Sequence, residues 1–450
     1  MSVWLNSTFA LTGLVIGLAG FVWLAQKRFE SAIYLIIFLL PFYLLKIKIF
    51  FIPTNVLEIL IGLLFLLWLA KKKYKDIGLS DIREFSLPAL LILNGAILST
   101  LFSQNLAVSA GILKSWFVIP LIFALIISQE IKSGQQVKKI FRWLTISGGL
   151  VALIGILYFL DGKVTFDGRL SAFFLSPNHL AMYLAPGFLA GLVLFDSGVK
   201  KEKLIFFAIV VALGLALYLT FSYAAWAAII ISTLFWLFIR IKNKKKVAII
   251  YGLLFLTLVG ILFVSQLKSE KLESFLHSAR SSWQSRLMIW RSAWAIAKDH
   301  PLFGSGPGMF QDYYLKYQSR FAVPYLEWAV PQPHNLWLAF WLQTGLLGLI
   351  GFLWLIILFF RKIKQAAVTF SCCGTHRPSA SSNSPRCENA TAACFCLEHR
   401  LLMTLAALMI YSLLHGLIDT TYFKNDLAVV FWLIIALVVS LRSVRKTQAV

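Results

Sequence analysis

The chain has 450 residues, 59% hydrophobic and 14% charged, with 42 Lys and Arg against 19 Asp and Glu and a formal net charge of +23. Soluble domains run nearer half apolar and a quarter charged, so this composition excludes an ordinary soluble enzyme and indicates a polytopic membrane protein. Apolar runs able to cross a bilayer as helices, roughly 17 to 25 residues each, fall near 4–25, 30–45, 55–70, 87–103, 108–128, 143–160, 178–196, 204–220, 223–240, 247–265, 335–360, 401–418 and 427–441. The first has no charge before it and no small-residue cleavage pattern after Ala25, so it reads as a retained helix. The expected fold is all-α, a bundle of about 12–13 transmembrane helices. It divides into N-terminal helices over 1–265, one large outer loop with amphipathic helix over 266–333, and C-terminal helices over 334–450.

The positive charge is a topology signal. Lys and Arg gather at 27–28, 71–83, 132–142, 200–203, 240–246, 361–400 and 442–446, groups that hold 28 of the 42 basic residues. Short basic loops stay in the cytoplasm, and all these groups fall on one side of the bundle, next to anionic lipid headgroups. A nucleic-acid partner is therefore set aside. The same map puts the 266–333 loop on the outer face of the membrane.

Ionisable residues inside the spans are few, and they gather toward the outer face. Glu58 lies at the start of the third span, Lys114 about two turns into the fifth, and His415 and Asp419 at the end of the twelfth. A proton-coupled pump needs such groups at mid-bilayer, so a site at the outer surface fits better than a through-path. Helix-to-helix hydrogen bonding is the plainer role for Glu58, His415 and Asp419. For Lys114 both readings stand, because an unpaired ammonium at that depth is costly.

The outer loop at Asp161 to Arg169 leads into Ser176-Pro177-Asn178-His179, where Asn178 behind proline suits a helix start. Arg169 has the fork geometry for phosphate, although an arginine at the headgroup boundary can simply bind lipid. In the long loop, Trp283, Leu287, Trp290 and Trp294 recur at helical spacing and make an apolar stripe over Ser282 to Lys298. Arg280, Arg291 and Lys298 flank the stripe on one side and Arg286 on the other. An interfacial helix would show the same pattern. Asp299-His300-Pro301 stops the helix, and Gly304 to Gly308 makes a compact turn. Pro331 and Pro333 then stiffen the approach to His334, and Asn335 can cap the helix that follows. This holds an imidazole, the side chain suited to proton exchange near neutrality, at the membrane boundary.

All five cysteines, Cys372, Cys373, Cys387, Cys394 and Cys396, lie in one Ser-rich cytoplasmic loop within 361–400. Their spacing matches no usual zinc arrangement, so a reduced linker is expected and no metal. No phosphate loop, dinucleotide fingerprint or zinc-protease motif occurs.

SRLMIW at Ser285 to Trp290, HPLFGSGPGMF at His300 to Phe310 and PHNLWLAFWLQTGLLGLIGF at Pro333 to Phe352 together resemble the O-antigen ligase and polymerase family. GRLSAFFLSPNHLA at Gly168 to Ala181 is similar to that family's upstream loop. The resemblance covers roughly 140–360. There are departures: Tyr223 stands where many members have arginine, Gln343 where glutamate is frequent, and the Cys-rich loop is foreign to the pattern.

The resemblance implies a membrane glycosyltransferase that uses a glycan on undecaprenyl diphosphate and an acceptor hydroxyl of lipid A core or nascent polysaccharide. It also implies an inverting displacement without metal or other cofactor. His334 would be the base. Arg286 would stabilise the leaving group, with Arg169, Arg291, Lys114 and Arg280 on the diphosphate. A small-solute transporter and a non-catalytic export component are the competing readings.

Overall fold

A computed structural model describes residues 3–4, 7–49, 52–71, 79–197, 200–239, 260, 282–321, 327–373 and 385–448. Helix α1 spans Thr8–Lys27 and is capped by Ser7, whose hydroxyl accepts from Ala10 N at 3.2 Å. Helix α2, Phe29–Phe38, ends where Pro41 enters and the chain tightens into a 3-10 turn over Leu40–Leu44. The expected 30–45 span is thereby cut short. Beyond it Lys46-Ile47-Lys48-Ile49 alternates with period two, a strand pattern. Strands β1 (Val3–Trp4), β2 (Leu45–Ile49) and β3 (Ile52–Asn55) form one sheet in that order, parallel then antiparallel. Pro53 is tolerated because β3 is an edge strand.

Helix α3, Val56–Ala70, starts on an Asn55 cap. Next come α4 (Leu79–Leu101), α5 (Leu106–Leu113) and α6 (Ile119–Glu130), the last two continuous through a π-helical turn at Lys114–Val118. Then follow α7 (Gly134–Leu160), α8 (Pro177–Ser197), α9 (Lys200–Leu219), α10 (Tyr223–Ile239), α11 (Ser282–Asp299) and α12 (Phe310–Tyr317). The chain closes with α13 (Leu336–Cys373), α14 (Pro385–His415) and α15 (Asn425–Gln448). Among the described residues 8 helices are long and apolar enough to cross a membrane, and four shorter apolar helices accompany them. The chain is thus an all-α polytopic membrane bundle. Exposed Phe9, Val15, Ile16, Leu66, Leu157 and Ile357 are side chains for lipid to cover. The span expected at 247–265, apart from Gly260, together with Arg280 and the five cysteine side chains, lies outside what is described.

Polar contacts sort the helix ends into two groups. At one end Lys71 donates to the carbonyls of Ala25 and Gln26, Gln136 to Glu30, Arg142 to Glu202, Arg400 to Asp196, and Lys362 pairs with Glu84. These residues include or adjoin most of the basic clusters. At the other end the starts of α3, α8, α13 and α15 converge with the end of α14. His334 belongs to that second, less basic end.

The turn after α11 is locked onto α13. Helix α13 breaks at Gly345 (φ 64, ψ −173), and the freed Leu346 N–H donates to the carbonyls of Pro301 and Leu302 at 3.2 Å. Ser305 N donates to the Leu342 carbonyl at 2.7 Å, and the Trp341 indole to Pro301 at 2.9 Å. A Cβ at Gly345 would collide with the Leu302 carbonyl, and its backbone conformation is one that glycine alone adopts readily. Gly345→Ala is expected to destabilise the protein by about 1–3 kcal/mol through the backbone alone, read as a lowered melting temperature in detergent. The same helix presses Gly348 and Gly351 against Gly95, Leu91 and Pro88 of α4, a close approach that small residues permit.

Helix α11 buries a different face from the one its tryptophans suggest. Met288, Ile289, Ala293, Ile296 and Ala297 pack against Phe310, Tyr313 and Tyr314 of α12 and Leu342 of α13. Trp283 and Trp294 are exposed at 40% and 49%. The contact is made by Ala, Met and Ile side chains, all smaller than an indole, and leaves Trp283 and Trp294 for the boundary layer where indoles are favoured.

Candidate active site

The site forms because the start of α13 is stapled to the end of α14. Leu336 N donates to the Gly416 carbonyl at 2.7 Å, and Asn335 Nδ2 to the Leu417 carbonyl at 3.0 Å. Asn335 Oδ1 meanwhile caps α13 by accepting from the N–H groups of Trp337 and Leu338, both at 3.0 Å. The consequence is that His334 meets Asp419, with Nδ1 3.1 Å from Oδ1. The imidazole is 28% exposed and the carboxylate side chain 5%.

Asp419 is held from several directions. Thr420 N donates to Oδ1 at 2.8 Å and Asn178 Nδ2 to Oδ2 at 2.9 Å. Burial pushes its carboxyl up, but His334, His415 and Arg286 outweigh burial and hold it well below the usual carboxylate range. An ionised carboxylate only accepts, so Nδ1 of His334 is the donor and Nε2 of a neutral imidazole is left as an acceptor. That is the tautomer a general base requires.

Two guanidiniums border the pair. Arg169 donates Nη2 to Asn178 Oδ1 at 2.7 Å and Nε to the Thr220 carbonyl at 2.8 Å, with Asp167 3.7 Å from Nη1. Burial lowers its pKa, as does the charge of Arg286. It remains a cation, as arginines do. Arg286 donates Nε to the Ile418 carbonyl at 3.1 Å. Asn178 thus bridges Arg169 to Asp419 instead of capping α8; the cap contact is Ser176, whose hydroxyl accepts from His179 N at 3.2 Å. Arg169→Lys loses the fork to Asn178 and Thr220, so activity is expected to fall about tenfold or more for each charged hydrogen bond lost, measured as kcat/KM.

Backbone strain marks the same place. Among the described residues the non-glycine positive φ values are at Ala172 (50°), Phe221 (45°) and His334 (47°). They follow Arg169, follow Thr220 and carry the imidazole, respectively. Left-handed backbone costs such residues about 1–2 kcal/mol, and it persists where surrounding contacts over-determine it. At His334 one such contact is the Trp290 indole, which donates to its carbonyl at 3.1 Å.

The remaining residues singled out in the sequence make contacts of their own or face outward. Lys114 is bonded to Glu58 at 2.7 Å and to the Pro53 carbonyl at 2.9 Å, which supplies the partner its depth demands. Arg291 is exposed on α11. Tyr223 packs its ring on Trp226 at 5.4 Å. Gln343 is buried, accepting from Gly308 N at 3.3 Å and donating to Gln332 at 3.0 Å. His179 is fully buried, with Nε2 3.2 Å from Asp426 and 3.3 Å from the Tyr43 hydroxyl.

Asp419 and Asn178 are the members that sequence reading did not assign to the site. For Asp419 the sequence signal is scarcity, since few carboxylates lie near span ends on this side of the bundle; Asn178 showed only as a polar residue at a helix start.

Residues 207–353 match the O-antigen ligase family, a stretch that runs from α9 to within α13 and includes Arg286 and His334. An O-antigen ligase of Salmonella typhimurium strain LT2 is 25% identical over 254 residues, covering 54% of this chain and 60% of that protein. The aligned stretch thus spans a little under two thirds of that relative's length. Both likenesses point the same way: over these stretches the chain is similar to O-antigen ligases.

Proposed function

We propose that the chain is a membrane glycosyltransferase that moves a glycan from undecaprenyl diphosphate to an acceptor hydroxyl at the outer face of the bacterial cytoplasmic membrane. The observation that carries this is the His334–Asp419 pair, set beside Arg169 and Arg286. The acceptor O–H proton passes to Nε2 of His334 as its oxygen forms a bond to the anomeric carbon. The bond from that carbon to the diphosphate oxygen breaks, and the diphosphate departs with the electron pair. Asp419 stabilises the imidazolium, while the guanidiniums stabilise the leaving charge. One displacement inverts the anomeric centre. In this mechanism no metal takes part, and Arg291 and Lys114 are auxiliary cations toward the donor.

Purified protein incubated with an undecaprenyl-diphosphate glycan and either lipid A core or a free glycan acceptor should release undecaprenyl diphosphate and extend the acceptor. One transferred block identifies ligation, and a ladder identifies polymerisation. Absence of transfer to either acceptor, in folded protein, would sink the proposal.

A further inference from the structure

The end of the bundle that carries His334 also carries a sheet that the transfer chemistry does not use. On β2, Lys46 and Lys48 are two residues apart and so share a face. In the parallel register Trp4 sits opposite Lys46. Both ammoniums stand over the Trp4 ring, 5.9 and 5.7 Å from its centroid. This is a cation–π arrangement in which neither ammonium has an anionic partner among the described residues. Before Glu58 the sequence has a single acidic residue, Glu30. Glu30 accepts from Tyr34 and Gln136 at the opposite end, and Glu58 is taken by Lys114.

Three features place this face in the headgroup layer. Its edge strands expose backbone groups that hydrocarbon cannot satisfy. Trp4, Phe42 and Ile52 are exposed at 41%, 41% and 49%, an apolar fringe beside the lysines. The sheet leads straight into α3, whose first turn is tied to Asn425 at the start of α15. The lysines also run against the charge pattern, since the large basic clusters lie at the other end.

We infer that Lys46, Lys48 and Trp4 form a binding site for the phosphate of an anionic bilayer phospholipid. The ammoniums contact the phosphate, the indole lies at the glycerol level, and Phe42 and Ile52 meet the first methylenes of the acyl chains. The site tethers the N-terminal sheet to the bilayer beside the transfer site, without contributing to the reaction.

The test uses the full-length protein in detergent, with native mass spectrometry against phosphatidylglycerol and phosphatidylcholine. Wild type should retain phosphatidylglycerol preferentially, and K46Q/K48Q should weaken the tightest-bound phosphatidylglycerol about fivefold for each lysine removed. K46R/K48R, which keeps the charge, should restore it and controls for folding. Unchanged phosphatidylglycerol preference in K46Q/K48Q overturns the inference, as does failure of K46R/K48R to restore it. A parallel titration with undecaprenyl diphosphate separates the sources of phosphate. Loss of that ligand with phosphatidylglycerol binding intact would mean that the face serves the substrate, and would equally overturn the assignment.

Discussion

His334→Ala should lower glycan transfer by roughly 10²–10⁴-fold, the usual contribution of a positioned general base, while the protein still inserts and purifies as a folded species. His334→Asn is the sharper variant. An asparagine amide can donate to Asp419 from near the position of Nδ1, and asparagine tolerates the left-handed backbone found there, φ 47. It has no basic nitrogen where Nε2 was. Both variants should therefore be inactive, with His334→Asn retaining wild-type melting behaviour. Transfer at wild-type rate by His334→Asn would remove the imidazole from the mechanism and leave the site to electrostatics alone.

Asp419→Asn is expected to have the next largest effect, and to act on stability as well as rate. Both carboxylate oxygens accept N–H donors, Oδ1 from Thr420 and His334, and Oδ2 from Asn178. An amide NH₂ in either place sets donor against donor. That leaves a buried polar group unsatisfied, at about 1–3 kcal/mol. If the NH₂ faces His334, the imidazole must accept at Nδ1 and carry its proton on Nε2, the wrong tautomer for a base. Transfer should fall roughly 10²–10⁴-fold, and the melting temperature should fall with it.

Acid melting provides an independent check. The folded carboxyl of Asp419 is held below its ordinary value of about 3.9. Its stabilisation is therefore complete above that value and is lost as pH falls from there toward the folded pKa. The variant should lack this part of the acid dependence. An Asp419→Asn protein with full activity and unaltered acid melting would show that the pair does not organise the site.

Hydropathy and charge determined much of this molecule by themselves. Bilayer-length apolar runs have few structural solutions, because every backbone group must be satisfied within its own segment. Most helix bounds therefore follow the sequence closely: the run at 55–70 became Val56–Ala70, and that at 223–240 became Tyr223–Ile239. The helix start at His334 was legible for a similar local reason, since two prolines and an asparagine cap fix a chain direction over the five residues Pro331 to Asn335. Gly345 and the turn from Pro301 could be read as glycine-rich motifs, but not as partners.

Tertiary structure alone decided what touches what. Asp419 lies 85 residues from His334 and Asn178 lies 241 from Asp419, and no periodicity encodes such pairings. Asn178 looked like a helix cap because capping is a local rule; a buried arginine and carboxylate on either side redirected its amide. For Lys114 the sequence left both readings standing, and only the fold shows that the start of α3 brings Glu58 within 2.7 Å. The tryptophans of α11 marked an apolar stripe fit for the membrane boundary, and close packing against α12 and α13 falls to the smaller residues on the next face. Composition and local pattern specify which segments enter the membrane and in what order. The site itself is specified by the convergence of helix ends at one side of the bundle, where polar groups remote in sequence must satisfy one another.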